Sequence, residues 1–222
     1  MAMRTDTLHL RCCAPPALSR RDFLRCAAAG GLLLLPAVGA TQGSRSFSGE
    51  VRVNGRRADA RTVVRAGDTV VTGPGANAMF AVGTDAFLLR ENSSLTLERQ
   101  AGEIVISGLR MLTGALLGVF GRSARARNVV TSTVTAGIRG TGVYVEADAA
   151  QTYFCTCYGE VELTDTATGT RHVVLSANHS PLLVYGRASG GRAMQEAGFR
   201  NHSNAELQML EQSVGRTSPL KG

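Results

Sequence analysis

"DTVVTGPGANAMFAVGTDAFLLRENSSLTLE" (residues 68–98) is the stretch whose reading decides the fold. Short runs rich in Val, Thr, Phe and Leu are cut by "GPG", "GTD" and "ENS". Such runs, bounded by turn residues, predict strands over 69–72, 78–82 and 86–89. A fourth is predicted over 94–98, where Leu95 and Leu97 face one way and Thr96 and Glu98 the other.

The same pattern extends outward. Upstream, "GEVRVNGRRA" (49–58) reads as strand, Asn-Gly turn, strand. Downstream, "EIVIS", "GALLGVF", "NVVTST", "TGVYVEA", "TYFCTCYGEVELT", "RHVVLSA" and "SPLLVYG" follow, with "AGIRG" read as a separator. Short strands at this spacing with glycine turns predict an all-β fold, a sandwich or roll of antiparallel strands. Only the end differs. "NHSNAELQMLEQSVGR" (201–216) carries Ser203 or Asn204 as N-cap, Glu206 in the first turn, and Leu207, Leu210 and Val214 on one face before Gly215. One short amphipathic helix is predicted there, peripheral to the β domain, behind a linker over 187–200.

The first forty residues read as an address. Arg20 and Arg21 precede Phe23 and Leu24, and an apolar run extends from Ala27 to Ala40. That run is shorter than the roughly 20 residues a membrane helix needs. "VGA" (38–40) supplies small residues before a cleavage site after Ala40. The stretch resembles a twin-arginine signal peptide. It implies export in the folded state, a mature chain from Thr41, and a periplasmic location with no membrane span in the mature chain. Cys12, Cys13 and Cys26 are then lost, leaving Cys155 and Cys157. These would be free thiols while the protein folds in a reducing compartment.

Composition sets limits on partners. The formal charge of the 222-residue chain is +7, almost all of it from arginine. The only local cluster, Arg122, Arg125 and Arg127, is too thin for a nucleic-acid footprint. An anionic envelope component or an envelope protein is the expected partner. No G-x-S-x-G elbow and no H-E-x-x-H string occurs, so the chain reads as non-catalytic. "GIRGTG" (137–142) lacks the Lys-Ser/Thr pair of a phosphate loop. Its Arg139, flanked by glycines, is placed either to lock a strand crossing internally or to present a guanidinium fork outward. Glu160 and Glu162 read as a solvated strand face, and Asp85 as a turn residue.

"YFCTCYG" (153–159) is the most chemically specific stretch. In a strand, Tyr153, Cys155 and Cys157 share one face and Phe154, Thr156 and Tyr158 the other. Two small buried hydrophobes, a disulfide, a redox pair and a pair of metal ligands all remain open. A disulfide is disfavoured because Cα atoms two residues apart in a strand lie near 7 Å. A redox pair favours C-x-x-C at a helix start. Metal ligation needs histidines beside the thiols, and His172, His179 and His202 are available. His179, one hairpin further on, is the first candidate third ligand. No particular cofactor is indicated.

Taken in order, residues 67–98, "GAL" (114–116), "VTSTVTAGIRGTGVYVE" (130–146) and "GEVEL" (159–163) resemble the FecR domain. Arg139, Gly140 and Thr141 stand at its "RGT" hallmark, and "GEVEL" stands where that family has a strand after a glycine turn. The resemblance implies a jelly-roll-like periplasmic domain over 47–186, with Arg139, Gly140 and Thr141 as binding residues. It also implies a sensing or scaffolding role in the cell envelope. Members of that family that regulate iron uptake carry a cytoplasmic anti-sigma segment and a membrane helix. This chain shows neither, so sigma-factor control does not carry over.

Overall fold

Nearly every run expected as a strand forms one in the computed structural model, which describes residues 45–101, 105–123, 127–186 and 194–220. Arg20, Arg21, Phe23, Leu24 and Ala40 lie outside the described residues, as do positions 187–193 of the expected linker. The chain enters through β1 (Ser46–Ser48), β2 (Val51–Val53) and β3 (Arg56–Arg57). Asn54 and Gly55 between the last two both have positive φ, as a two-residue hairpin of matching twist requires. β4 (Thr69–Thr72), β5 (Asn77–Val82), β6 (Asp85–Leu89) and β7 (Ser94–Glu98) follow. β8 (Gly108–Val119) runs for 12 residues and β12 (Gln151–Asp165) for 15. Between them lie β9 (Arg127–Val130), β10 (Val134–Ile138) and β11 (Gly142–Ala147). β13 (Arg171–Ser176), β14 (Ser180–Tyr185), β15 (Met194–Glu196) and helix α1 (Asn204–Ser213) complete the chain.

The two long strands organise everything else. One sheet has the order β1-β5-β6-β8-β11-β12-β14-β15, the other β3-β2-β4-β7-β8-β9-β10-β12-β13. β8 and β12 belong to both, because each bends from one sheet into the other. Up to Thr113, β8 pairs with β7, and from Gly114 with β11. Up to Thr156, β12 pairs with β14, and from Gly159 with β13. Gly114 (φ 96°) and Gly159 (φ 89°) are the corners. A Cβ at Gly114 would lie 2.0 Å from Ser93 Oγ, and one at Gly159 would lie 2.5 Å from Thr141 Cγ2. Both conformation and close approach exclude a side chain there. The ring β8-β9-β10-β12-β11 closes on itself as a five-stranded barrel, with β8–β9 its parallel pair.

Among the described residues the fold is therefore all-β with one short helix. Two apolar layers hold it. The larger, between the sheets, contains Phe80, Phe87, Leu89, Leu95, Leu109, Met111, Leu116, Val145, Phe154 and Leu163. The smaller lies on the outer face of the first sheet, where Leu88, Leu117, Tyr144, Tyr153, Cys155 and Cys157 meet Leu207, Leu210 and Leu220. The helix thus closes a second core and is not peripheral. Ser203 caps it in a full capping box with Glu206.

Three local expectations are corrected. "AGIRG" is not a separator, since Ala136, Gly137 and Ile138 end β10. "GEVEL" follows no turn but continues β12 past its corner. Met194–Glu196, expected as linker, adds an edge strand to β14. Of the described residues, no helix is long and apolar enough to cross a membrane.

Candidate metal centre

The first half of β12 carries Tyr153, Cys155 and Cys157 onto the helix-facing side, as alternation predicts. The alternation then breaks. Gly142 of β11 pairs with Tyr158, but Val143 pairs with Thr156, so β12 has one extra residue there. This bulge at Cys157 turns Tyr158 to the same side as the thiols, where strict alternation would point it inward. Gly142 makes room: a Cβ there would lie 2.3 Å from the Tyr158 ring. Tyr158 Oη donates to Glu211 Oε1 of the helix, and Arg216 closes the network by donating to Glu211 and to the Thr84 carbonyl.

Two histidines meet these thiols from separate segments. His179 ends the tight turn between β13 and β14, at φ 46°, and its N–H donates to the Cys157 carbonyl at 2.9 Å. A branched or bulky residue would resist that left-handed backbone. His202 stands directly before the Ser203 cap, preceded by Asn201 at φ 58°. Cys155 and Cys157 are fully buried, and His202 is 7% exposed. The four ligand atoms all lie within 4.8 Å of one another. His179 was the expected third ligand. The structure adds His202 and leaves His172 exposed on β13, away from the cluster.

Hydrogen bonds fix the imidazole tautomers. His202 Nδ1 lies 2.7 Å from the Arg200 carbonyl, which can only accept, so Nδ1 carries the proton. His179 Nε2 lies 2.7 Å from Asn204 Oδ1 and donates likewise. The remaining nitrogens, His202 Nε2 and His179 Nδ1, lie 3.2 Å apart, and in neutral rings both carry lone pairs. Cys155 Sγ is 3.7 Å from His179 Nδ1, and Cys157 Sγ is 3.4 Å from His202 Nε2. Around a tetrahedral zinc ion, with bonds of about 2.0–2.3 Å, neighbouring ligand atoms stand roughly 3.3–3.8 Å apart. Outward donation of the second imidazole N–H to a carbonyl is also the usual arrangement for metal-bound histidine.

The electrostatics suit a cation. The Cys155 thiol is lowered to about 5, first by the hydrogen bond from Cys157 and then by the two histidines, against burial. Burial pushes the Cys157 thiol up, and the neighbouring thiolate adds to this. The pair thus gives up one proton readily and keeps the other, which a metal ion would displace. Aromatic rings seal the site. Tyr144 stacks on His202 at 4.4 Å between centroids, and Phe199 lies 4.4 Å from His179 and 4.6 Å from His202.

The other expected site residues fall elsewhere. Arg139 is exposed at the end of β10 and shares an open groove with Asn128, Thr135, Glu160 and Glu162. Those two carboxylates offset the positive charge expected to draw an anionic partner. Gly140 makes the turn at φ 62°. Thr141 is wholly buried, so its side chain is not presented to an external partner as expected. Asp85 is no surface turn residue either: it is buried, 3.1 Å from Arg127, and accepts from the Gly121 N–H. Burial raises its carboxyl, opposed by Arg127 and that hydrogen bond.

Two crystal structures of a candidate anti-sigma factor from Parabacteroides distasonis, at 1.65 Å and 2.50 Å resolution, resemble the chain. Each aligns with a TM-score of 0.48 at 11% identity, over 58% of this chain and 59% of that one. The chain thus spans less than two thirds of the structures it matches. No protein-family model matches it, and no curated protein does.

Proposed function

We propose that the chain is an exported, non-catalytic envelope domain of the FecR-like, jelly-roll-like kind that carries one zinc ion on Cys155, Cys157, His179 and His202. One observation carries the metal reading: His179 Nδ1 and His202 Nε2 converge at 3.2 Å beside two buried thiols, with all four ligand atoms within 4.8 Å of one another. Packing alone does not account for this, because small buried hydrophobes need no converging imidazoles. Two sulfurs and two imidazoles, all within 4.8 Å of one another, favour zinc among the common metals. The ligand set is closed by rings and helix, and a site with all four positions filled by protein is of the structural rather than the catalytic type. Export rests on Arg20, Arg21 and the short apolar run after them. A folded-export route would let the thiols take metal before they meet an oxidising compartment.

The test is direct. Protein purified without chelator is assayed for bound metals, beside the Cys155→Ala/Cys157→Ala variant. One equivalent of zinc in the parent and none in the variant is expected. Folded parent protein that neither contains nor takes up zinc overturns the reading.

A further inference from the structure

Three of the four ligands belong to the β domain, and one does not. Cys155 and Cys157 are in β12, and His179 is in the turn that follows β13. His202 arrives on the C-terminal segment, residues 197–220, which covers the outer face of the first sheet. We infer, on the basis of the zinc reading above, that metal occupancy governs the docking of this segment: the ion is the latch that joins His202 to the other three ligands.

Two features make the segment a suitable responder. Its helix is ten residues long, too short to be stable alone in water, so its structure depends on being docked. Polar contacts also tie the segment to the β domain, among them Asn201 to Glu146 and the Gly198 carbonyl to Tyr153. Arg90 bonds Glu206 at 2.6 Å, Arg200 bonds Glu146 at 2.7 Å, and Glu211 meets Tyr158 and Arg216. Beside them, His202 Nε2 lies 3.4 Å from Cys157 Sγ and 3.2 Å from His179 Nδ1, so a cation held by the β-domain ligands would bond His202 as well. Since the ion gains its fourth ligand only in the docked state, binding must stabilise docking by linkage. Release would uncover Leu117, Tyr144 and Tyr153, which the segment now covers.

Hydrogen exchange of the full chain, stripped of metal and then loaded with zinc alone, reads this coupling. Zinc is expected to slow exchange at least tenfold across residues 197–220 while β8 and β11 change little. His202→Ala should still bind zinc through Cys155, Cys157 and His179, but lose the zinc-dependent protection of the segment. If zinc binds and exchange in 197–220 is unchanged, or slows equally throughout the domain, the latch is wrong and the metal site stands. Zinc-dependent protection of the segment that persists in His202→Ala likewise overturns it. If zinc does not bind the parent protein at all, the metal reading itself fails.

Discussion

At Cys157 the β12 strand holds one residue more than β11, and the chemistry of the site depends on that residue. The bulge lets two thiols and Tyr158 share one face, where regular pleating allows only alternate positions. It exists because position 142 has no side chain. Gly142→Ala would drive a methyl group into the Tyr158 ring, and overpacking of this kind costs about 1–3 kcal/mol. A lower melting temperature is expected, together with weaker zinc retention. A variant that melts like the parent would show that the bulge tolerates a Cβ. At Cys155 and Cys157 themselves, alanine separates packing from ligation. In metal-free protein the double change is expected to cost less, because it removes two small side chains and their local hydrogen bonds but no bound ion. In loaded protein it removes the whole contribution of the bound ion, about 4 kcal/mol at a zinc concentration a thousand times Kd. Melting curves with and without zinc give both numbers.

At the scale of elements, the C-terminal helix shows what a sequence reading sees and what it misses. Its start and stop were legible, because Ser203, Glu206 and Gly215 are local signals of capping and termination. Its place was not, because three apolar side chains at helical spacing do not say which surface they cover. The structure puts Leu207 and Leu210 in a core and buries Glu211 beside Tyr158 and Arg216. Removing Glu211 leaves the buried Tyr158 hydroxyl without its acceptor and the half-buried Arg216 without its carboxylate, at a cost of about 1–3 kcal/mol. Glu211→Ala is therefore expected to lower stability strongly, whereas Met209→Ala, on the exposed side, should change it little. Equal effects in denaturant titrations would place the helix outside the core after all. The strands repeat the lesson. β4 and β7 were readable to the residue from their alternation. β10 was hidden by Gly137, and β12 was read as one run, "TYFCTCYGEVELT", but without the corner at Gly159 that carries it between sheets.

For the whole molecule, the all-β class was readable from the spacing of short apolar runs, and the sharing of β8 and β12 between two sheets was not. That sharing depends on long-range pairing, which leaves no local trace beyond a glycine at each corner. The candidate site was partly legible for the same reason. Strand alternation places both thiols on one face, and the hairpin brings His179 close. Among the three histidines nothing local distinguishes His202 from His172, which are set apart only by how the last segment folds back. The proposed export has its own test. Replacing Arg20 and Arg21 together with lysine should leave the protein in the cytoplasm at normal expression, seen by fractionation. Undiminished export would remove the twin-arginine assignment.

The central claim is the metal ion on Cys155, Cys157, His179 and His202, and metal analysis of the purified protein tests it most directly. With chelators omitted throughout, about one zinc per chain is predicted, falling to none when both cysteines are alanine. A folded, monodisperse protein with no bound metal, and with no uptake after zinc is added and the excess removed, would contradict it.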